Sequence, residues 1–205
     1  MEKFNELYLI SSVLYTKTLD YIYDFYNGNT QEVNRIESHN LKKKIMPQEH
    51  YADLLKKPNH IIDNIYLGNA YNACDTTFLN NNNIKNIINV TREIPNWYPE
   101  KYRYLKIPIR DTRDSFLDNY YSECYDFIIN SPKKTNIFIH CYMGSSRSAS
   151  IVVYYIMKRH NKTFTEALEH IKSCRSNINI NTNFSDEIKF LEKLDYEISE
   201  KFCKV

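Results

Sequence analysis

Five residues separate Cys141 from Arg147, and no other pair in the chain is better suited to covalent chemistry. A thiol becomes a nucleophile when it loses its proton, and nearby positive charge favours the ionised form. A guanidinium is a rigid fork of N–H donors that can hold two oxygens of a phosphate at once. At one point, the two groups would grip an oxyanion and attack its central atom. A cysteine at the end of an apolar run is ordinarily a small core residue, so its neighbours have to decide.

Residues Asn136 to Ser150 read Asn-Ile-Phe-Ile-His-Cys-Tyr-Met-Gly-Ser-Ser-Arg-Ser-Ala-Ser. Ile137, Phe138 and Ile139 form a short apolar run that predicts a buried strand, and Ala149 to Tyr155 continue with helix-compatible apolar spacing. A polar loop delivered from a strand into a helix start aims unpaired backbone N–H groups at one point, and the helix dipole adds positive potential there. Such a point binds an anion. The field that holds the anion also favours a thiolate at Cys141. Gly144 suits a loop position where the backbone turns tightly or approaches a ligand.

His140-Cys141-x5-Arg147-Ser148, at a strand-to-helix junction, resembles the signature loop of the cysteine-dependent protein phosphatases, and in particular the dual-specificity family. The resemblance implies a protein-tyrosine-phosphatase-like α/β fold, a central mixed β-sheet flanked by helices. It implies Cys141 as nucleophile, Arg147 on the phosphate oxygens, Ser148 donating to the leaving sulfur and His140 ordering the loop. Tyr142, Met143, Gly144, Ser145 and Ser146 would line the phosphate site together with Arg147. No cofactor and no metal are implied.

Phosphoryl transfer to sulfur also needs an acid, since an alkoxide or phenoxide leaves badly unless protonated. Asp111, Asp114 and Asp118 qualify by type and position. The run Tyr104-Leu105-Lys106-Ile107-Pro108-Ile109-Arg110-Asp111, followed by Leu117 and Tyr120-Tyr121, resembles the family's acid loop, in which the acid is the first aspartate, here Asp111. Arg110 and Arg113 beside it are either solvated or available to a second phosphate. Two more segments resemble the family: Ile65-Tyr66-Leu67-Gly68-Asn69-Ala70 with Ile87 to Thr91, and Arg175-x2-Ile178-x2-Asn181-x2-Phe184. Ile180 stands where a proline is usual and Asn183 where a glycine is usual, which leaves the role of Asn181 toward the loop open.

The chain of 205 residues fits one domain plus an extension. The match begins near Asn59, so the expected division is an N-terminal extension over 1–58 and a catalytic domain over 59–205. Phe4, Leu7, Ile10, Val13, Leu14, Leu19, Ile22 and Phe25 predict an additional N-terminal helix over about 3–26. Its apolar stripe would pack on its own domain or pair with a second copy as a homodimer. Residues 30–57 are polar, with the lysine cluster 42–44. Further helices are expected over 69–83, 120–130, 146–160, 165–174 and 184–201. Strands are expected at 61–62 with 65–68, at 86–91, at 102–109 and at 136–140.

Lys+Arg 27 against Asp+Glu 25 gives a net charge of +2, so nothing calls for nucleic acid or an acidic membrane. No apolar run reaches membrane-spanning length, and the first residues lack the basic start of a secretory leader. Five widely spaced cysteines without a Cys-x2-Cys pair argue against a disulfide framework or a zinc site. A reducing interior follows, the cytoplasm or the nucleus, which also suits an exposed thiolate. The expected function is hydrolysis of phosphotyrosine and phosphoserine or phosphothreonine on phosphorylated proteins through a cysteinyl-phosphate. Phosphatases of inositol lipids tend to carry lysines within the loop, and 142–146 are uncharged. The rivals are a binding module without turnover and an enzyme acting on RNA 5′-phosphates or phosphoinositides.

Overall fold

The computed structural model describes residues 56–202. The helix expected over about 3–26 and the lysine cluster 42–44 lie outside the described residues, as does Cys203. Five strands form one mixed sheet: β1 (Asn59–Ile62), β2 (Ile65–Gly68), β3 (Ile84–Asn89), β4 (Arg103–Lys106) and β5 (Asn136–His140). Their order is β1-β2-β5-β3-β4. β1 and β2 are an antiparallel hairpin, and β2, β5, β3 and β4 run parallel. Among the described residues there are six helices: α1 (Ala70–Ala73), α2 (Thr76–Asn81), α3 (Asp118–Ile129), α4 (Arg147–His160), α5 (Phe164–Cys174) and α6 (Thr182–Phe202).

Alternation along the central strands sorts their side chains onto two apolar faces. Ile65, Leu67, Ile88, Ile137 and Ile139 enter the main core with residues of α3, α4, α5 and α6. Ile84, Ile87 and Phe138 point the other way, onto Ala73 of α1 and Leu79 of α2. With both faces covered, β5 has to read as an unbroken apolar run, as it does.

Three expected elements need correction. The single helix over 69–83 is two short ones, because the chain breaks at Cys74-Asp75 and the Asp75 carboxylate caps α2 by accepting from Phe78 N–H at 3.0 Å. The strand over 102–109 covers only Arg103–Lys106. Its partner β3 ends at Asn89, opposite Lys106, so the chain beyond leaves the sheet at Ile107 and Pro108. The strand expected over 86–91 is shifted by two residues, to Ile84–Asn89, and ends at the same point. Helix ends otherwise fall within two residues of expectation, and α5 starts on a capping box of Thr163 and Glu166. In open sheets with parallel strands the carboxyl ends gather the functional loops. Here β5 delivers residues 141–146, β3 delivers 90–94 and β4 delivers 107–117.

Candidate active site

The loop after β5 is held by its carbonyls. Tyr142 O accepts from Ala70 N–H at 3.0 Å and Ser145 O from Asn179 N–H at 3.0 Å. Gly144 O and Met143 O accept from the Arg175 guanidinium at 3.0 and 3.4 Å. A trans peptide sets each N–H opposite the preceding C=O, so pulling these four carbonyls outward turns the N–H groups of residues 143–146 inward. Gly144 N–H accordingly donates to Cys141 Sγ at 3.2 Å. Gly144 has φ +69°, and a Cβ there would lie 2.3 Å from Gly68 O. Only glycine fits such a position. Gly68 is equally confined, since a Cβ on it would meet Asn72 Oδ1 at 2.6 Å and the Phe138 ring at 2.8 Å.

Cys141 is buried, and Ser148 Oγ–H donates to its sulfur at 3.2 Å from the first turn of α4. Two donors therefore face the sulfur at the start of α4. His140 lies beneath, stacked on Phe138 with ring centroids 5.5 Å apart. Burial pushes its pKa down to about 3, with Lys106 and Arg147 adding to the effect. A neutral imidazole can approach Cys141 O at 3.3 Å only if Nδ1 carries the proton and donates it.

Arg147 Nη1 donates to Glu93 Oε1 at 2.8 Å and to Ile109 O at 3.1 Å, which aims the guanidinium. Burial opposes its charge, but the Cys141 sulfur, Glu93 and Asp111 together raise its pKa above the ordinary value. Its Nε is buried and makes no hydrogen bond. A buried donor left unmade is costly, and here it lies on the residue expected to hold an oxyanion. Lys106 reinforces the loop that carries Glu93, donating to Ile94 O and to Thr91 Oγ1. Burial lowers its pKa to about 8, against the pull of Glu93.

Of the three candidate acids, the structure brings Asp111 to the loop. Its Oδ1 accepts from Ser146 Oγ–H at 2.9 Å and from Asn181 Nδ2 at 3.3 Å, while Oδ2 stands 3.7 Å from Arg147 Nε. Asp114 is exposed, and the Thr112 hydroxyl holds its carboxyl below the usual range. Asp118 lies in the first turn of α3, accepting from Asn119 N–H. Arg110 and Arg113 are exposed on the same loop. Asn181 takes a defined place despite Ile180 and Asn183: its N–H donates to Ser146 Oγ at 3.1 Å and its side chain reaches Asp111.

Glu93 and the bracing role of Arg175 were not foreseen. Arg175 Nη1 also donates to Lys57 O and Asn59 Oδ1, so one side chain fastens the loop to the edge of the sheet. A buried guanidinium demands a counter-charge, and that demand was the signal available in sequence. Many acids could have answered it.

The arrangement is a thiol in a cradle of amides, a guanidinium with a spare donor, and a carboxyl at the rim. The family described as "Dual specificity phosphatase, catalytic domain" matches residues 65–193. Protein phosphatase Slingshot of Drosophila melanogaster is 36% identical over 133 residues, 64% of this chain and 13% of that protein. Dual specificity protein phosphatase 1 of Arabidopsis thaliana is 33% identical over 146 residues, 71% of this chain and 73% of that one. Among solved structures, the human tyrosine phosphatase-like serine/threonine/tyrosine-interacting protein superposes with TM-score 0.64 at 23% identity, over 68% of this chain and 97% of that one. DUSP15 does so with TM-score 0.61 at 29% identity, over 70% and 95%. The chain belongs to the dual specificity phosphatase family. It spans only a small part of Slingshot's length. No described helix is long and apolar enough to cross a membrane.

Proposed function

We propose that this chain hydrolyses phosphate monoesters on proteins, accepting phosphotyrosine and phosphoserine or phosphothreonine, through a cysteinyl-phosphate. The observation that carries the reading is the convergence of Cys141 Sγ, the Arg147 Nε, which makes no hydrogen bond, and the Asp111 carboxyl at one loop. In the first step a lone pair on Sγ attacks phosphorus and the P–O bond to the substrate breaks, while Asp111 gives its proton to the departing oxygen. Oδ1 is occupied by Ser146 and Asn181, so Oδ2 is the oxygen assigned to the proton. The inward N–H groups and Arg147 hold the equatorial oxygens. In the second step Asp111 takes a proton from water, which attacks phosphorus. The P–S bond breaks, with Ser148 Oγ–H donating to the departing sulfur.

Supporting phosphoprotein over inositol lipid, the loop from Tyr142 to Ser146 carries no cation. The substrates are phosphorylated proteins in the cytoplasm or nucleus, where a reducing setting keeps the thiol free. The segment 1–58 is an extension outside the catalytic domain, and its apolar stripe over 3–26 serves self-association. Light scattering on the full chain tests that last point, and a monomer at high concentration removes it.

The deciding experiment compares phosphate release from phosphopeptides, triphosphorylated RNA and inositol lipids, for the native chain and Cys141→Ser. Turnover of phosphopeptides, abolished in the variant with binding retained, is the expected result. Undiminished turnover in Cys141→Ser, or release only from RNA or lipid, refutes the reading.

A further inference from the structure

We infer that Asn183, on the first turn of α6, is a positioning residue that straps the acid loop so that Asp111 stays over the phosphate site. This inference rests on the assignment of Asp111 as the acid under Proposed function. The loop from Asp111 to Phe116 is largely exposed, with Phe116 56% exposed, so burial fixes it only at its end, through Leu117. Polar contacts from α6 hold it instead. At one end, Asn181 Nδ2 donates to Asp111 Oδ1 at 3.3 Å. At the other, both Glu187 oxygens accept from Leu117 N–H, at 3.0 and 3.1 Å, where α3 begins without a side-chain cap of its own. Between these ends Asn183 Nδ2–H donates to Ser115 O at 2.9 Å.

The two asparagines are linked. Asn181 caps α6, its Oδ1 accepting from Asn183 N–H at 3.1 Å while its Nδ2 faces Asp111. The backbone of Asn183 thus sets the Asn181 amide, and its side chain sets the loop that carries the acid. A loop tied at its middle as well as its ends has fewer conformations to lose on reaching the reactive geometry. Asn183 touches neither substrate nor sulfur, so it acts through Asp111.

The test separates this role from a structural one by varying the leaving group. Protonation matters for a poor leaving group such as phenol and little for an activated one such as 2,4-dinitrophenol. Asn183→Asp keeps the shape, loses the donor toward Ser115 O, and places a negative charge where a helix start tolerates it. Asn183→Ala removes the donor without adding charge, and answers the question if the aspartate variant fails to fold. Both variants are expected to lower kcat on phenyl phosphate about fivefold, the factor one neutral hydrogen bond amounts to. On 2,4-dinitrophenyl phosphate the loss should shrink below about twofold. An equal loss on both substrates, or none on either, overturns the proposal. Asp111→Asn serves as reference: if it discriminates between leaving groups while the Asn183 variants do not, only the strap is overturned. If Asp111→Asn does not discriminate, the acid assignment falls and takes the strap with it.

Discussion

Replacing Glu93 with glutamine isolates the least visible part of the site. Glu93 Oε1 lies 2.8 Å from Arg147 Nη1, with the two side chains 7% and 5% exposed. Unit charges at that separation attract by roughly 6 kcal/mol at an effective dielectric of about 20. Desolvation of both groups offsets part of this, and removing one partner of a buried pair costs about 3–5 kcal/mol. Glutamine keeps the shape and one acceptor, which places Glu93→Gln near the lower end, at about 3 kcal/mol. For a domain of this size each kcal/mol lowers the melting temperature by about 2–4 °C, so the variant should melt about 10 °C below the native chain. Arg147 then loses the charge of the partner that aims it, and kcat/KM on an aryl phosphate should fall at least about tenfold, or about 1.4 kcal/mol. Saturating inorganic phosphate supplies a negative partner to the orphaned guanidinium, so the melting gap should narrow in its presence. A gap under about 2 °C, or an unchanged kcat/KM, refutes the idea that Glu93 sets Arg147.

Gly144→Ala sets a Cβ 2.3 Å from Gly68 O at φ +69°. The left-handed conformation alone costs about 1–2 kcal/mol for an L side chain, so calorimetry should show a lower melting temperature together with lost turnover. Native stability in Gly144→Ala would mean that the loop can adopt another path. His140 makes a separate prediction about acid. Its folded pKa is about 3 against 6.5 for the free side chain, so below pH 6.5 the unfolded chain binds a proton that the folded chain refuses. Stability is therefore lost as pH falls from 6.5 toward 3, by about 1.4 kcal/mol per pH unit from this group. His140→Gln, measured by denaturant unfolding between pH 6.5 and 4, should flatten that slope, and an unaltered slope refutes the assignment.

What could be read without coordinates was whatever has a local cause. Ile137 to Ile139 had to be a buried strand and Ser148 had to follow the arginine onto the helix, because neighbours in sequence impose those outcomes; Gly144 was legible as a tight turn, though the close approach of Gly68 O was not. Glu93 could not be read in the same way, since its partner is 54 residues away and nothing around Glu93 announces burial. Asp75 ended one helix and began another through a single side-chain cap, against apolar spacing that ran on past it. β4 stopped early for a reason located in a different strand, the end of β3 at Asn89. Asn183, read only as a departure from pattern, supplies a donor whose target, Ser115 O, is 68 residues earlier. Long-range pairing depends on topology, and topology is what a one-dimensional pattern states least directly.

The charges around the sulfur bear on how an anion can be held at all. Glu93 and Arg147 neutralise one another in the resting site, and Asp111 adds a carboxyl at the rim. A phosphate dianion entering there finds the Arg147 guanidinium already paired with Glu93. Oriented dipoles then add to its attraction: the inward N–H groups of residues 143–146 and the start of α4, with the Nε–H of Arg147, which makes no hydrogen bond. Dipoles stabilise an anion only while they stay aimed, and water or a flexible loop would let them turn away. The four outward carbonyls are therefore part of the binding machinery, although none of them faces the ligand. Arg175 fastens two of them, Ala70 and Asn179 the others; Arg175 follows directly on α5 and Ala70 starts α1 beyond β2, while Asn179 lies between α5 and α6. On the proposed reading, affinity for phosphate in this chain is thus set from behind the loop as well, by the groups that keep its peptide planes from rotating.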